Sequence, residues 1–253
     1  THDLGPIAKV LDINHGNRML TLSSTASKAA GLGEFIKENK PDDAFLKEQT
    51  FAQGDVVTTV IKCARGETIV LTLDTTLPRY YSRNFTVRGT KAMYEEVTDS
   101  VFQDRKEDKD HDFDWLKHCV GNAKNYEEEW DHPVWKKYIE DGVKGGHDGM
   151  DWLEFEIFFR CLREGTPMPV DVYDAASWMA VTALSEMSIA KGGAVVDIPD
   201  FTGGKWHMAE GERYRYGNGR LRQRIADIGE DIFRTGCMEA GNRGPWKWKI
   251  QRK

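Results

Sequence analysis

The chain has 253 residues, of which 30% are charged and 40% are hydrophobic, and it carries a net charge of −6. This composition is typical of a globular protein with one large core or two smaller ones. Residues 1–204 hold 23 lysines and arginines against 35 aspartates and glutamates. So acidic a body disfavours nucleic acid as a partner. No apolar run approaches the roughly 18 residues of a membrane helix, so no membrane partner is expected.

The first hundred residues predict one helix followed by a mostly antiparallel sheet. Two runs rich in β-branched residues, VVTTVIKCA and ETIVLTLD, flank Arg65-Gly66 and predict a β-hairpin over Asp55–Asp74. The other elements predicted here are a helix at His2–Asp12 and strands at Arg18–Ser24, Phe85–Arg88 and Met93–Glu96. The fold class is therefore α+β, an open sheet that needs helices on at least one face.

The stretch from Gly145 to Asp200 predicts two consecutive helices, and we expect this pair to cover the sheet. The first has Asp148 or Asp151 near its N-cap and ends at Gly165. Thr166-Pro-Met-Pro169 then breaks the helix, because proline lacks the amide N–H. The second begins at Asp171 and ends at Gly192-Gly193. The apolar stripe predicted for the first helix consists of Met150, Leu153, Ile157, Phe158, Cys161 and Leu162.

Two further segments differ in composition from this domain of residues 1–204. A charged insertion is predicted near residues 99–144, and its scattered histidines lack the spacing of a metal site. Residues 205–253 form a basic, aromatic extension, a pattern that suits an anionic glycan or nucleic acid but more often belongs to an arm packed on its own domain or a neighbouring subunit. The four cysteines include no CxxC pair, and Cys63 and Cys161 are expected to be buried thiols.

The predicted start of the first long helix carries the sequence Gly-Gly-His-Asp-Gly at residues 145–149. A helix N-terminus offers unpaired N–H groups and partial positive charge, which suit hydroxyl, phosphate or carboxylate ligands. The glycines would let a ligand approach the backbone closely. His147 and Asp148 are therefore candidate binding residues, with simple helix capping as the alternative.

No catalytic motif of the common classes is present. A dinucleotide site needs G-x-G-x-x-G between a strand and a helix, and Gly217-Asn-Gly219 lacks that context. The sequence also has no G-x-S-x-G, P-loop or zinc-protease motif. The two carboxylates of a conventional glycosidase cannot be identified from sequence, because their spacing is spatial.

Five motifs occur in order along the chain: THDLGP at residues 1–6, DTTLPRYYSR at 74–83, GGHDGMD at 145–151, VYDAASW at 172–178 and IPDFTGGKW at 198–206. Taken together they resemble glycoside hydrolase family 109, the α-N-acetylgalactosaminidase group within the Gfo/Idh/MocA superfamily of NAD(P)-dependent sugar oxidoreductases. The resemblance covers about residues 1–206 and only the C-terminal domain of such proteins. It implies that a Rossmann domain carrying the dinucleotide fingerprint is absent from this chain, which by itself is expected to be inactive.

The resemblance also implies a mechanism and roles for individual residues. In the family, NAD⁺ oxidises C3 of the sugar, a base removes the C2 proton, the glycosidic oxygen leaves, water adds, and NADH returns the hydride. The implied catalytic residues are His2 and Tyr81, and Arg79 is an implied substrate-orienting donor. The alternatives without a function are a frayed terminal residue for His2, a core-edge aromatic for Tyr81 and a solvent-facing side chain for Arg79.

Three expectations about the whole protein remain open. The substrate is a carbohydrate, and the alternatives to a glycosidase are a sugar dehydrogenase of the same superfamily or a non-catalytic carbohydrate-binding or assembly module. Both alternate sets of side chains on Asp55–Asp74 are substantially apolar or β-branched, so the outer sheet face is expected to form a homo-oligomer interface. The resemblance implies a bacterial protein that is periplasmic or secreted.

Overall fold

The computed structural model describes residues 2–104, 115–142 and 144–208, without the side chains of residues 115, 116 and 148. The helices are α1 Leu4–Val10, α2 Gly31–Asn39, α3 Ala44–Lys47, α4 Trp115–His118, α5 Glu127–Trp130, α6 Pro133–Glu140, α7 Met150–Glu164 and α8 Val172–Ala190. The strands are β1 Met19–Ala26, β2 Val56–Cys63, β3 Thr68–Asp74, β4 Thr86–Arg88, β5 Ala92–Glu95, β6 Ser100–Gln103 and β7 Val196–Asp197. No described helix is long and apolar enough to cross a membrane.

The described chain divides into two compact units. The first contains residues 2–80 and 170–208, and the second contains the described part of residues 81–169. Each unit has its own sheet, and in both sheets every described strand pair is antiparallel. The α+β class and the open antiparallel architecture expected from the sequence are confirmed.

The first unit is built on a four-stranded sheet of order β3-β2-β1-β7. The predicted hairpin is confirmed, with Val60 opposite Val70 and Ile61 opposite Ile69. Burial alternates along β2, where Thr59, Ile61 and Cys63 are buried and Thr58, Val60 and Lys62 are exposed. One sheet face is therefore covered and the other is open in the described structure.

The covered face packs against α1 and α8 around a core of aliphatic side chains. This core consists of Leu4, Ala8, Ile13, Met19, Leu22, Ile61, Cys63, Ile69, Val181, Val196 and Ile198. Hydroxyl groups are paired beneath α8. Ser188 accepts a hydrogen bond from the backbone N–H of Ser24 at 2.9 Å, and the Ser24 and Thr59 hydroxyls lie 2.7 Å apart. These pairings satisfy polar atoms that burial would otherwise leave without water.

Helix α8 begins and ends at the residues that the sequence indicates. Asp171 is its N-cap and forms a capping box with Asp174, while Gly192 and Gly193 follow its end with positive φ angles. Helix α7 ends at Gly165, which has φ 64°, as predicted. Its N-cap is Gly149 and not an aspartate side chain, since no side chain caps this helix.

The second unit carries a three-stranded sheet of order β4-β5-β6 together with α4–α7. Asn122 holds the middle of β6 by accepting from the Val101 N–H at 2.7 Å and donating to the Val101 carbonyl at 2.8 Å. Strands β4 and β5 lie within one residue of their predicted positions. Strand β6 lies within the segment that was predicted to be a charged insertion. It was not predicted, because Val101 and Phe102 are only two apolar residues among polar ones.

Two sequence predictions fall wholly or partly outside the described residues. The basic, aromatic extension is described only to residue 208, and residues 105–114 of the charged insertion are not described. The prediction for the thiols can be examined, and it is confirmed: Cys63 and Cys161 are buried and form no disulfide.

Two expectations about packing were wrong, and a third was wrong at one residue. The strands do not form a single sheet, because β4–β6 pair only with one another among the described strands. Helices α7 and α8 do not act as one covering pair, since α7 belongs to the second unit. On α7, Phe158 is 45% exposed while the neighbouring Phe159 is buried, whereas the other five residues of the predicted stripe are buried or partly buried. Helices α2 and α3 were not predicted.

Candidate functional site

The loop between β3 and β4 contains the motif DTTLPRYYSR and is anchored at its start by Asp55. This carboxylate accepts hydrogen bonds from the Thr76 hydroxyl at 2.7 Å, the Ala30 N–H at 2.8 Å and the Gly31 N–H at 2.9 Å. The hydrogen bond from Thr76, followed by those from Ala30 and Gly31, holds the pKa of Asp55 below its usual value although burial opposes this. Asp55 therefore ties the loop to the start of α2.

Glu96 anchors the other end of the same loop within the second unit. Its carboxylate accepts from the Ser82 hydroxyl at 3.2 Å and from the Phe85 N–H at 3.0 Å. The Ser82 hydroxyl in turn accepts from the Asn84 N–H at 2.7 Å. Two carboxylates thus hold the two ends of this segment, one in each unit.

Tyr80 and Tyr81 lie between these anchors and are among the most exposed aromatic side chains of the described structure. They are 71% and 73% exposed. The guanidinium of Arg83 reaches the Tyr81 hydroxyl at 3.5 Å. Exposed aromatic rings on an anchored loop are available to a ligand, and a Tyr hydroxyl both donates and accepts hydrogen bonds. An exposure of 73% does not fit the alternative that Tyr81 is an aromatic at the edge of the core.

Arg79 precedes these tyrosines and is directed back toward the end of β3. Its Nε donates to the Asp74 carbonyl at 3.2 Å and lies 3.8 Å from the Asp74 carboxylate. The guanidinium is partly exposed, so such a pair adds little to stability. This contact limits the directions in which the Arg79 guanidinium can face a ligand.

His2 lies in the turn just before α1 and is exposed. Helix α1 itself is well fixed, since Leu4 and Ala8 belong to the core of the first unit. A role for His2 in exchanging protons with a substrate stays a prediction.

His147 opens a short 3₁₀ turn, His147–Gly149, that leads directly into α7. Its Nδ1 lies 3.2 Å from the Asp151 carboxylate, and both side chains are exposed. Gly149 must be glycine here, because its φ is 93° and an added Cβ would lie 1.8 Å from the Tyr138 hydroxyl. The His147–Asp151 pair joins two side chains and does not cap α7, whose N-cap is Gly149. Binding of substrate by His147 and Asp148 stays a prediction.

The motif IPDFTGGKW forms a tight turn organised by Asp200. Its carboxylate accepts from the Thr202 hydroxyl at 2.6 Å and the Gly204 N–H at 2.8 Å, and it lies 3.4 Å from Arg18. Burial opposes ionisation, but these hydrogen bonds and the Arg18 charge outweigh it, so the pKa of Asp200 lies below its usual value. This part of the family motif therefore has a structural role in closing the first unit.

One described cluster combines a histidine with two carboxylates, at His15, Asp171 and Asp174. Asp174 is fully buried, and the Lys9 ammonium lies 2.5 Å from its Oδ2 while Asn14 donates to its Oδ1 at 3.3 Å. Lys9 already supplies the positive charge that Asp174 needs. The cluster thus works as a structural ion pair between α1 and α8.

The five residues predicted for the site are divided between the two units. His2 and Arg79 belong to the first, and Tyr81, His147 and Asp148 belong to the second. Their meeting in one cleft therefore stays a prediction. Sequence reasoning missed the two anchoring carboxylates, Asp55 and Glu96, because their partners lie 11 to 25 residues away along the chain.

Comparison with known proteins identifies the family. Residues 1–208 match the family described as "Glycosyl hydrolase 109, C-terminal domain". A "Glycosyl hydrolase family 109 protein" of Parabacteroides distasonis is 42% identical over 206 residues, which is 81% of this chain and 42% of the relative. An "Alpha-N-acetylgalactosaminidase" of Tannerella forsythia is 40% identical over 209 residues, again 81% of this chain and 42% of the relative. A "Glycosyl hydrolase family 109 protein" of Stenotrophomonas maltophilia is 39% identical over 207 residues, 81% of this chain and 44% of the relative.

The matched region contains the anchored tyrosine loop, the turn before α7 and the Asp200 turn. The chain spans less than half the length of these curated relatives. Within that span the match to the family extends over both units. The chain belongs to glycosyl hydrolase family 109, and it corresponds to the C-terminal domain of that family.

Proposed function

We propose that this chain provides the sugar-contacting side of a glycosidase that acts on α-N-acetylgalactosaminides or related α-glycosides. The observation that carries the proposal is the match of residues 1–208 to the family's C-terminal domain. A relative named alpha-N-acetylgalactosaminidase, 40% identical over 209 residues, supports this substrate class. The exposed, doubly anchored Tyr80–Tyr81 loop supplies a surface suited to a sugar.

Dependence on NAD is part of the proposal, with the cofactor held by a dinucleotide-binding domain outside these residues. The described residues do not themselves fit a dinucleotide, since both sheets are antiparallel and no glycine-rich turn joins a parallel strand to a helix. The redox chemistry is accordingly not assigned to any residue of this chain. The roles proposed for the chain are binding, orientation and proton exchange.

Tyr81 is proposed to donate its hydroxyl proton to a sugar hydroxyl or to the group that leaves. Arg79 is proposed to orient the sugar by hydrogen bonds from its guanidinium, and His2 is proposed to exchange a proton with the substrate. His147 and Asp148 are proposed to hydrogen bond to the substrate. In the intact protein, His147→Ala is therefore expected to weaken substrate binding while Tyr81→Phe lowers turnover.

The proposal is tested with the full-length protein that contains these residues and p-nitrophenyl α-N-acetylgalactosaminide in D₂O. We expect release of nitrophenol, deuterium at C2 of the released sugar and no net accumulation of NADH. Those results follow from removal and return of a C2 proton with the hydride recycled. A sugar dehydrogenase would instead form one NADH for each sugar oxidised, without nitrophenol. Absence of both products would contradict the proposal in favour of a non-catalytic module.

The proposal also includes self-association through the outer face of the four-stranded sheet. On that face Val60 and Val70 lie opposite each other and are 44% and 63% exposed. Thr58 and Thr72 form the next pair on the same face, and both are exposed. Exposed β-branched side chains on one sheet face are suited to packing against a second copy.

A further inference from the structure

The second unit contains an open groove with a volume of about 710 Å³. Its described lining residues are Thr90, Lys91, Ala92, Gln103, Asp104 and Trp130. The backbone fixes one side, since the Asp104 N–H donates to the Lys91 carbonyl at 2.8 Å and Ala92 pairs with Gln103 in the sheet. The pairing between β5 and β6 therefore fixes the backbone positions of Lys91, Gln103 and Asp104 on this side of the groove.

Trp130 forms the apolar part of the groove. It is the last residue of α5, it is 50% exposed, and its indole stacks on Tyr126 with ring centroids 4.6 Å apart and planes 25° apart. Tyr126 is 7% exposed, so it provides a fixed support. The stack covers one face of the indole. Half of the Trp130 surface stays exposed beside this stack.

An aromatic face beside mixed polar groups matches the two-sided chemistry of a sugar ring. The C–H groups of a pyranose pack on an aromatic face, and its hydroxyls both donate and accept hydrogen bonds. Lys91 is a donor, Asp104 is an acceptor and the Gln103 amide provides both. Lys91 and Asp104 carry opposite charges, so the described lining has no net charge, which favours a neutral ligand over an anionic one. The volume lies within the range of about 300–1,000 Å³ that small-ligand sites occupy.

We propose that this groove binds a neutral sugar residue of a glycan, with the sugar ring stacked on Trp130 and its hydroxyls bonded to Lys91, Gln103 and Asp104. None of these residues belongs to the set proposed for the glycosidase reaction. The inference concerns binding and does not depend on that reaction. It gives the domain a second means of holding a glycan while another part of the same glycan is processed.

The test is a calorimetric titration of the full chain with methyl α-N-acetylgalactosaminide. We expect saturable binding of wild type, at least a tenfold loss of affinity in Trp130→Ala and a smaller loss in Trp130→Phe, which keeps a ring on Tyr126. Asp104→Asn is expected to weaken binding by removing a charged acceptor. The matched control is Phe155→Ala, because Phe155 is an equally available aromatic, 61% exposed, on α7 and outside the groove lining.

Three results with the groove variants and their control would overturn the groove as a sugar site, and a fourth result concerns Tyr81. The first is no saturable binding by wild type at concentrations of about 10 mM, which corresponds to less than about 3 kcal/mol of affinity. The second is undiminished binding by both Trp130→Ala and Asp104→Asn. The third is an equal loss in Phe155→Ala. Binding that is lost only in Tyr81→Phe would also contradict the groove, and it would leave the proposed glycosidase function intact. If the nitrophenyl assay fails while binding that depends on Trp130 is retained, the glycosidase function is contradicted and the groove is supported.

Discussion

The two units differ in what they do with their polar and aromatic side chains. In the first unit Asp174 and Ser188 are fully buried and paired, and aliphatic residues fill the space between α8 and the sheet. In the second unit the sheet is small, and Tyr81 and Trp130 expose 73% and 50% of their area. Buried polar groups that are hydrogen bonded give a rigid support. Exposed aromatic rings on a fixed backbone give a surface that a ligand can contact. We therefore expect the first unit to contribute most of the stability, and the second unit to carry Tyr81 and Trp130, the two aromatic rings proposed to contact a sugar.

The largest expected effect is on the buried face of the four-stranded sheet. Ile61 has no exposed surface and lies at the centre of the core, so Ile61→Ala should lower the free energy of unfolding by about 3–4 kcal/mol. Val60→Ala, on the exposed face of the same strand, is the matched control and should cost less than about 1 kcal/mol. Urea unfolding measures both, at a concentration where the full chain is dissociated, so that the proposed interface does not contribute. Equal losses would remove the distinction between the two sheet faces.

Asp174→Ala should give the next largest loss, about 2–3 kcal/mol in the same measurement. The substitution removes the partner of Lys9 and the N3 residue of the α8 capping box. Glu34→Ala is the control, because it breaks a Lys37–Glu34 pair whose side chains are 70% and 63% exposed, and exposed pairs contribute less than about 1 kcal/mol. A Glu34 effect as large as that of Asp174 would contradict the claim that buried pairing supports this unit.

Substitution of the open sheet face should change assembly more than folding. We expect wild type to scatter light as an oligomer and Val60→Lys to scatter as a monomer of 28.8 kDa. At a concentration where wild type is dissociated, the free energy of unfolding of the two chains should differ by less than about 1 kcal/mol, because Val60 is exposed in each chain. Val10→Lys, at a 60% exposed valine on α1, makes the same change away from that face and should leave the oligomer intact. A wild-type monomer at micromolar concentration would contradict self-association.

The smallest effect concerns the acid side of the stability profile. The pKa of Asp55 is lowered mainly by the Thr76 hydroxyl, so its stabilising contribution is present above the unfolded pKa of about 3.9 and is lost as pH falls through the lower folded value. Asp55→Asn should therefore be less stable than wild type at pH 7, and the gap should narrow as the pH falls toward about 3. Asp42→Asn, at an exposed aspartate, is the control. A gap that stays constant with pH would contradict this account.

Local signals in the sequence predicted most of the long elements well. Asp171 and Gly165 mark a helix start and a helix end through their own chemistry, and the β-branched runs define β2 and β3. On α7, Phe158 was assigned to the buried stripe in place of its neighbour Phe159. The two side chains point about 100° apart at the edge of the stripe, and tertiary packing decides which of them is buried. The division into two sheets was also invisible, since strand partners depend on contacts distant in sequence.

The candidate site was less accessible to sequence reasoning than the fold. Tyr81, Arg79 and His2 were identified only through resemblance to the family. Asp55 and Glu96 were missed because nothing in their immediate surroundings marks them as anchors of a distant loop. The groove at Trp130 was missed for a similar reason: it brings together the β4–β5 turn, the end of β6 and α5. Such juxtapositions follow from topology, which a single sequence does not specify.

The central claim is that the anchored tyrosine loop contacts the sugar, and one pair of variants tests it most directly. In the full-length protein, Tyr81→Phe should lower turnover of p-nitrophenyl α-N-acetylgalactosaminide about ten- to a hundredfold, about 1.4–2.7 kcal/mol of barrier. Thermal stability should be unchanged, because the side chain is exposed. Tyr80→Phe, at the equally exposed neighbour, should leave turnover within about twofold of wild type. Full turnover in Tyr81→Phe, or an equal loss in both variants, would contradict the role assigned to Tyr81.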